Sequence, residues 1–395
     1  MKENRQQIES FNLIDKKNNI NNNDKLNKRN YGIDLARIIS MILIINHHII
    51  FHGGPFSKAQ KFSIQYKFLV FYNLICCSGV NVFGMISGCV CSFSYKFSNL
   101  FYLLFLTFFY NICIALIFYY FRPNLKIDIN YFLYPLFISD YWYFSAYFIM
   151  YYFIPVINKG IAEINKKTMK YSIINLFLIF SCFGEIKHYS NRFYLKDIFT
   201  LRKGFSYIWL LILYLYGSYL GRFRINNTIK RTYYYYLKFF TLIFIAAFIR
   251  MKIIVYKLNN TQNKFNLNID YCTPSEVIIS ISIILIFSNI NIKNVYLIKF
   301  ISFFAPLTYG VYLIHNHLLI RNHIIKNNFL WLTNLKIYQF FILEILYSFI
   351  IFLICCLLDF IRLLIFKIFK IKQIIIFIMK IITNIVDKIY RFDLL

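Results

Sequence analysis

Asp34, Arg37 and His48 stand inside the first long apolar segment of the chain, in a stretch that begins Tyr31-Gly32-Ile33-Asp34-Leu35-Ala36-Arg37 and reaches Asn46-His47-His48. A charge in a bilayer-length helix costs roughly 2.5–3.5 kcal/mol on insertion scales, so such residues usually mark function. The spacing adds to the identity. Arg37 and His48 are eleven residues apart, close to three whole helical turns, which sets both on one stripe. Along that stripe they are separated by roughly 16 Å, at about 1.5 Å per residue. A guanidinium offers a planar fork of donors that suits phosphate. A neutral imidazole can take the proton of a hydroxyl as it attacks a thioester. Asp34, three residues before Arg37, can pair with it on the same face. A cation at one level and an imidazole at the other could hold the two ends of a long substrate.

The segments that must position these groups are apolar. The 395 residues are 59% hydrophobic and only 15% charged, against about 25% charged in an ordinary soluble domain. The reading is an all-α polytopic membrane protein with ten spans in one bundle. The spans lie near 33–51, 68–91, 99–121, 141–157, 171–186, 205–221, 233–255, 275–290, 300–320 and 338–366. Each approaches the roughly 20 residues a bilayer needs, the fourth, fifth and eighth being short. Residues 1–30 read as a disordered polar cytosolic tail, 31–366 as the membrane domain, and 367–395 as a basic amphipathic tail lying on the inner surface.

The net charge of +28 sits mainly in short loops and the two tails. That placement points to topology and anionic lipid rather than nucleic acid. With the N-terminus inside, the inner segments hold more Lys and Arg than the outer ones, so both termini are expected to be cytosolic and the membrane to be the plasma (inner) membrane. The nine cysteines show no CxxC and no ligand spacing, and read as small packing residues. No metal site and no bound cofactor are expected.

With this topology the polar groups sort into two levels. His48, Trp142, His315, Asn316 and Glu344 fall toward the outer side; Arg37, Ser87, Gly88, Gly217 and Gly221 fall toward the inner side. Plainer roles stand beside the chemical ones. His47 is turned by about 100° from His48 and reads as a packing residue. Arg37 could snorkel to the inner headgroups, Trp142 could belong to an aromatic belt, and Ser87-Gly88 could serve close helix packing.

The chain also resembles the acyltransferase-3 family of integral membrane acyltransferases, which includes O-acetyltransferases of cell-surface polysaccharides. Four stretches carry the likeness: Gly32 through His48, with Arg37 and His48 in the Arg, ten residues, His pattern; Val80 through Gly88, similar to the second-span SG motif; Tyr141-Trp142-Tyr143-Phe144-Ser145-Ala146-Tyr147 with Pro155; and Leu307 through Asn316, similar to the FGxYLIH segment. Trp209 with Tyr214 through Leu220 matches a further W … YLxGxY stretch.

The resemblance implies ten spans, an acyl-CoA donor (acetyl-CoA first) on the inside, and a sugar hydroxyl of a surface glycan or lipid-linked sugar as acceptor. It implies His48 as catalytic base and Arg37 as a donor-site residue; Asp34, which can pair with Arg37, is grouped with them as catalytic. Arg37, Lys96, Ser87 and Gly88 would serve the donor, and Trp142, His315, Asn316 and Glu344 the acceptor side. One departure stands out. Many members carry paired arginines after span two, whereas this loop reads Ser94-Tyr95-Lys96-Phe97-Ser98; Arg222, Arg224, Lys230 or Arg231 are alternative partners for a CoA phosphate. A different class of function, a polysaccharide or sugar-lipid exporter, would distribute polar residues along a path with repeat symmetry. Here they concentrate on one stripe and no repeat is evident.

Overall fold

A computed structural model describes residues 29–91, 96–122, 141–183, 199–223, 225, 233–260 and 270–392. The described residues are mainly helical, joined by short turns and loops, with no strand among them. The long helices are α1 (Tyr31–His52), α2 (Ile64–Cys91), α3 (Phe97–Phe121), α4 (Trp142–Glu163), α5 (Lys166–Leu176), α6 (Tyr207–Phe223), α7 (Tyr233–Asn260), α8 (Pro274–Ser288), α9 (Val295–Phe304), α10 (Thr308–His315), α11 (Ile337–Ile368) and α12 (Ile371–Phe392). Six stretches are long and apolar enough to cross a membrane: Tyr31–His52, Ile64–Val90, Phe97–Phe121, Tyr233–Asn259, Val295–His315 and Ile337–Ile368. Helices also occupy the other four expected regions, but they are shorter or more polar; α8 is the shorter apolar one. Of the expected tail 1–30, residues 1–28 lie outside the described residues, as do Arg224, Lys230 and Arg231; Arg29 and Asn30 are ordered against the start of α1.

Local chemistry sets the helix ends. Asn30 caps α1, its side chain accepting from the Gly32 and Ile33 amides. Thr273 caps α8 by accepting from the Glu276 amide, with Pro274 in the first turn. The ninth segment differs from the expected 300–320. It starts at Val295, because Asn294 caps it, accepting from Tyr296 and Leu297. It narrows to a 3-10 turn at Ala305–Leu307, where Pro306 lacks the donor that a continuous helix needs, and it ends at His315. The fifth segment widens into a π-helical turn at Phe177–Cys182. α12 is a separate helix from α11, set off by a turn at Lys370 with φ +50°.

The packing partners fix the helix directions. α1 and α2 are antiparallel: Gly79 meets the Ser40 carbonyl, and His47 meets Asn73 and Cys77. α2 and α6 run in the same direction, with Asn81 bonded to Trp209 and Gly88 set against Tyr214. A β-carbon on Gly88 would collide with the Tyr214 carbonyl, and one on Gly217 with the Met85 carbonyl, so these two glycines set how closely α2 and α6 approach. α11 is tied to α3 by a buried Asp359–Arg362 ion pair at 2.7 Å, which Tyr110 and Tyr102 complete. Asn30 bonds the Ser288 carbonyl, and Arg362 reaches Tyr102 near the start of α3. The start of α1, the ends of α2 and α8 and the end of α11 therefore share one end of the bundle.

Candidate active site

α1 carries the centre of the site. Its Asp34 accepts from Arg29 Nε at 2.6 Å and from Arg37 Nη1 at 3.3 Å. The Arg37 side chain keeps 27% of its surface exposed, so its guanidinium has donor capacity beyond Asp34. Three turns on, His48 lines a narrow cavity of about 50 Å³. Met41 and Ile44 of α1, Val80 and Phe83 of α2, Trp142 and Tyr143 of α4, Tyr271 before α8, Tyr309 and Tyr312 of α10, and Asn316 form the rest of the wall. Aromatic surface with a few convergent polar groups is the usual composition of a small-molecule site. Trp142 stacks on Tyr271 at 5.8 Å and packs against Phe205 at 4.6 Å, which holds one wall flat.

The imidazoles are sorted by their neighbours. His48 Nδ1 is buried and has no hydrogen-bond partner among the described residues. The His48 ring lies 5.1 Å from His315 and 5.4 Å from His52, centre to centre. His315 donates from Nδ1 to the Val311 carbonyl at 2.6 Å, which leaves Nε2 as an acceptor. His47, adjacent in sequence, points into α2: its Nδ1 lies 2.8 Å from Asn73 Oδ1 and 3.2 Å from Cys77 Sγ.

The structure brings His48, Trp142 and Asn316 together at one cavity, with His315 packed beside His48. Asp34 and Arg37 stand below it on the same helix, with Arg37 in electrostatic reach of Tyr143 in the wall. The other expected residues lie elsewhere. Ser87 bonds back to the Phe83 carbonyl, and Gly88 is occupied by its contact with Tyr214. Lys96 is exposed at the start of α3, where its carbonyl accepts from Tyr151. Glu344 is fully buried on α11, near Tyr72 of α2. Arg222 reaches the carbonyls of Ile161 and Ala162 and so ties α6 to the end of α4.

Sequence reasoning overlooked Tyr271, Glu276, and the Asp359–Arg362 pair. Tyr271 had a signal: Thr273-Pro274-Ser275-Glu276 is a helix-start pattern, which puts Tyr271 at the mouth of α8. The ion pair had one too, an Asp and an Arg three apart in an apolar helix. His317 lies in a loop but is buried, where it bonds Asn111 of α3.

The acyltransferase-3 family, described as an acyltransferase domain, matches residues 30–360. The chain belongs to that family, and it is a membrane acyltransferase. No curated protein matches the chain, and no solved structure does.

Proposed function

We propose that this acyltransferase moves an acetyl or other short acyl group from acyl-CoA to a hydroxyl of a cell-surface polysaccharide or lipid-linked sugar, with His48 as general base. The observation that carries the reading is His48 at the wall of an aromatic cavity, with a buried Nδ1 that has no hydrogen-bond partner among the described residues. His48 takes the proton of the acceptor hydroxyl while its oxygen attacks the thioester carbonyl. The tetrahedral adduct then expels the CoA thiolate, which receives that proton, so the reaction is proton-neutral overall. Trp142, Tyr271 and Tyr312 offer flat apolar surface for the acceptor, and Asn316 offers a polar contact. Arg37, held by Asp34, serves the donor phosphates from the other level. Lys96, exposed at the same end, adds charge there.

The topology belongs to the same proposal. Ten spans cross the plasma membrane, six by long helices and the rest by α4, α5 with its π turn, α6 and α8. The shared end of α1 and α11 faces the cytosol, so the donor arrives from inside and the acceptor from outside. The test is mass spectrometry of the surface glycan with and without the gene. A difference of one acyl group per repeat supports the reading, and identical glycans reject it.

A further inference from the structure

A second cavity lies between the first turns of α2 and the middle of α7. It is an open groove of about 520 Å³, and its wall is apolar except for Lys67. Phe68 and Phe71 of α2 face Phe244 and Phe248 of α7, with the Phe71 and Phe244 rings 5.7 Å apart. Phe244 and Phe248 are 59% and 51% exposed. Lys67 stands one turn from the start of α2, and Lys252 Nζ lies 5.3 Å from the Phe248 ring centre. Both lysines are exposed, and neither has an acidic partner among the described residues.

The two lysines belong to one end of the bundle. Tyr235 and Tyr236, at the start of α7, bond Asn289 just after α8, at the end where α1 begins. α7 therefore runs away from that end, and α2 runs toward it. Lys67 and Lys252 stand at the far end, opposite Arg37, which the proposed topology makes the outer face.

We infer that this groove binds the lipid of a lipid-linked sugar acceptor, with its hydrocarbon chain on the four phenylalanines and its phosphates at Lys67 and Lys252. The inference rests on the acceptor class proposed above. Any bilayer lipid satisfies a bare apolar face, so the cations decide the occupant. A phospholipid phosphodiester brings one negative charge to this end, whereas a sugar diphosphate lipid brings at least two, matching two lysines. The level also fits. Asn73, which holds His47 beside His48, is six residues along α2 from Lys67, or about 9 Å. A headgroup at Lys67 sets its first sugars close to the depth of His48.

The experiment uses the full chain in neutral-lipid nanodiscs and a polyprenyl diphosphate with a photoreactive group in its chain. Crosslinks should map to α2 and α7 around the groove, and competition should give affinities. Two lysines near a membrane surface amount to roughly thirtyfold in affinity for such a headgroup. The Lys67→Gln, Lys252→Gln double variant should lose about that factor and bind like the wild type binds uncharged polyprenol. Phe248→Trp, which fills the groove, should lower crosslinking with the lysines intact. His48→Ala should crosslink as the wild type does, so lipid binding and acyl transfer are read separately. Equal competition by phosphatidylglycerol, labelling elsewhere, or no effect of the double variant overturns the groove even where the glycan is acylated. Normal crosslinking with an unmodified glycan would instead reject the acyl-transfer reading.

Discussion

The imidazole rings of His48 and His315 stand 5.1 Å apart, centre to centre, on helices that meet across the cavity. Because His315 gives its Nδ1 proton to the Val311 carbonyl, its Nε2 faces its surroundings as a lone pair. It is thus suited to orient His48 rather than to supply a proton. His315→Phe, which keeps the bulk, should lower kcat while the KM for acyl-CoA stays unchanged. Steady-state kinetics on purified protein would check this; a change confined to KM would place His315 on the donor side.

Arg37 is the corresponding test at the other level. Its charge is held by Asp34 at 3.3 Å, with part of the guanidinium open. Arg37→Lys keeps the charge but loses the planar fork, so it should weaken donor use by more than charge alone implies. Asp34→Asn should do the same more mildly, since Arg37 keeps its donors but loses its anchor. Acyl-CoA titrations measure both. An unaltered KM and rate for Arg37→Lys would remove it from the donor site.

Much of this arrangement was legible in the sequence because it is local. Asp34, Arg37 and His48 share one helix, so periodicity alone relates them, and the 100° turn between His47 and His48 separates their roles. The break at Pro306 and the cap at Asn294 are likewise local features, though the reading of 300–320 as one span passed over them. What could not be read is long-range. Tyr271 joins Trp142 across more than a hundred residues, and Asp359 joins Tyr110 across 249. Ser87 and Gly88 show the reverse case: a short motif is visible, but only the position of α6 tells that Gly88 is filled by Tyr214.

The Asp359–Arg362 pair gives a stability prediction. Both side chains are almost wholly buried, and a β-carbon on Gly310 of α10 would meet the Asp359 carboxylate. Asp359→Ala strands a buried guanidinium and should cost about 3–5 kcal/mol. The double variant Asp359→Leu, Arg362→Leu removes both charges and should recover most of that loss. Thermal unfolding in detergent, followed by circular dichroism, would show the order. Equal destabilisation by the single and double variants would mean that the pair's geometry, not its uncompensated charge, matters.

The decisive comparison is between two adjacent histidines at the same depth. His48 lines the cavity with a buried Nδ1 that has no partner among the described residues, whereas His47 is bonded to Asn73 and Cys77 on α2. His48→Ala should lower acyl transfer by about 10²–10⁴-fold, the usual contribution of a general base, while the protein stays inserted and stable. His47→Ala should show the opposite pattern. It leaves the buried Asn73 amide short of a partner, at a cost of about 1–3 kcal/mol in stability, with turnover per folded molecule largely kept. A deletion strain complemented with each variant, with protein levels matched, reads transfer by acylation of the glycan; melting temperatures of the purified variants read stability. If His48→Ala keeps full activity, or if both variants fail equally per folded molecule, His48 is not the base and only membership of the acyltransferase family stands.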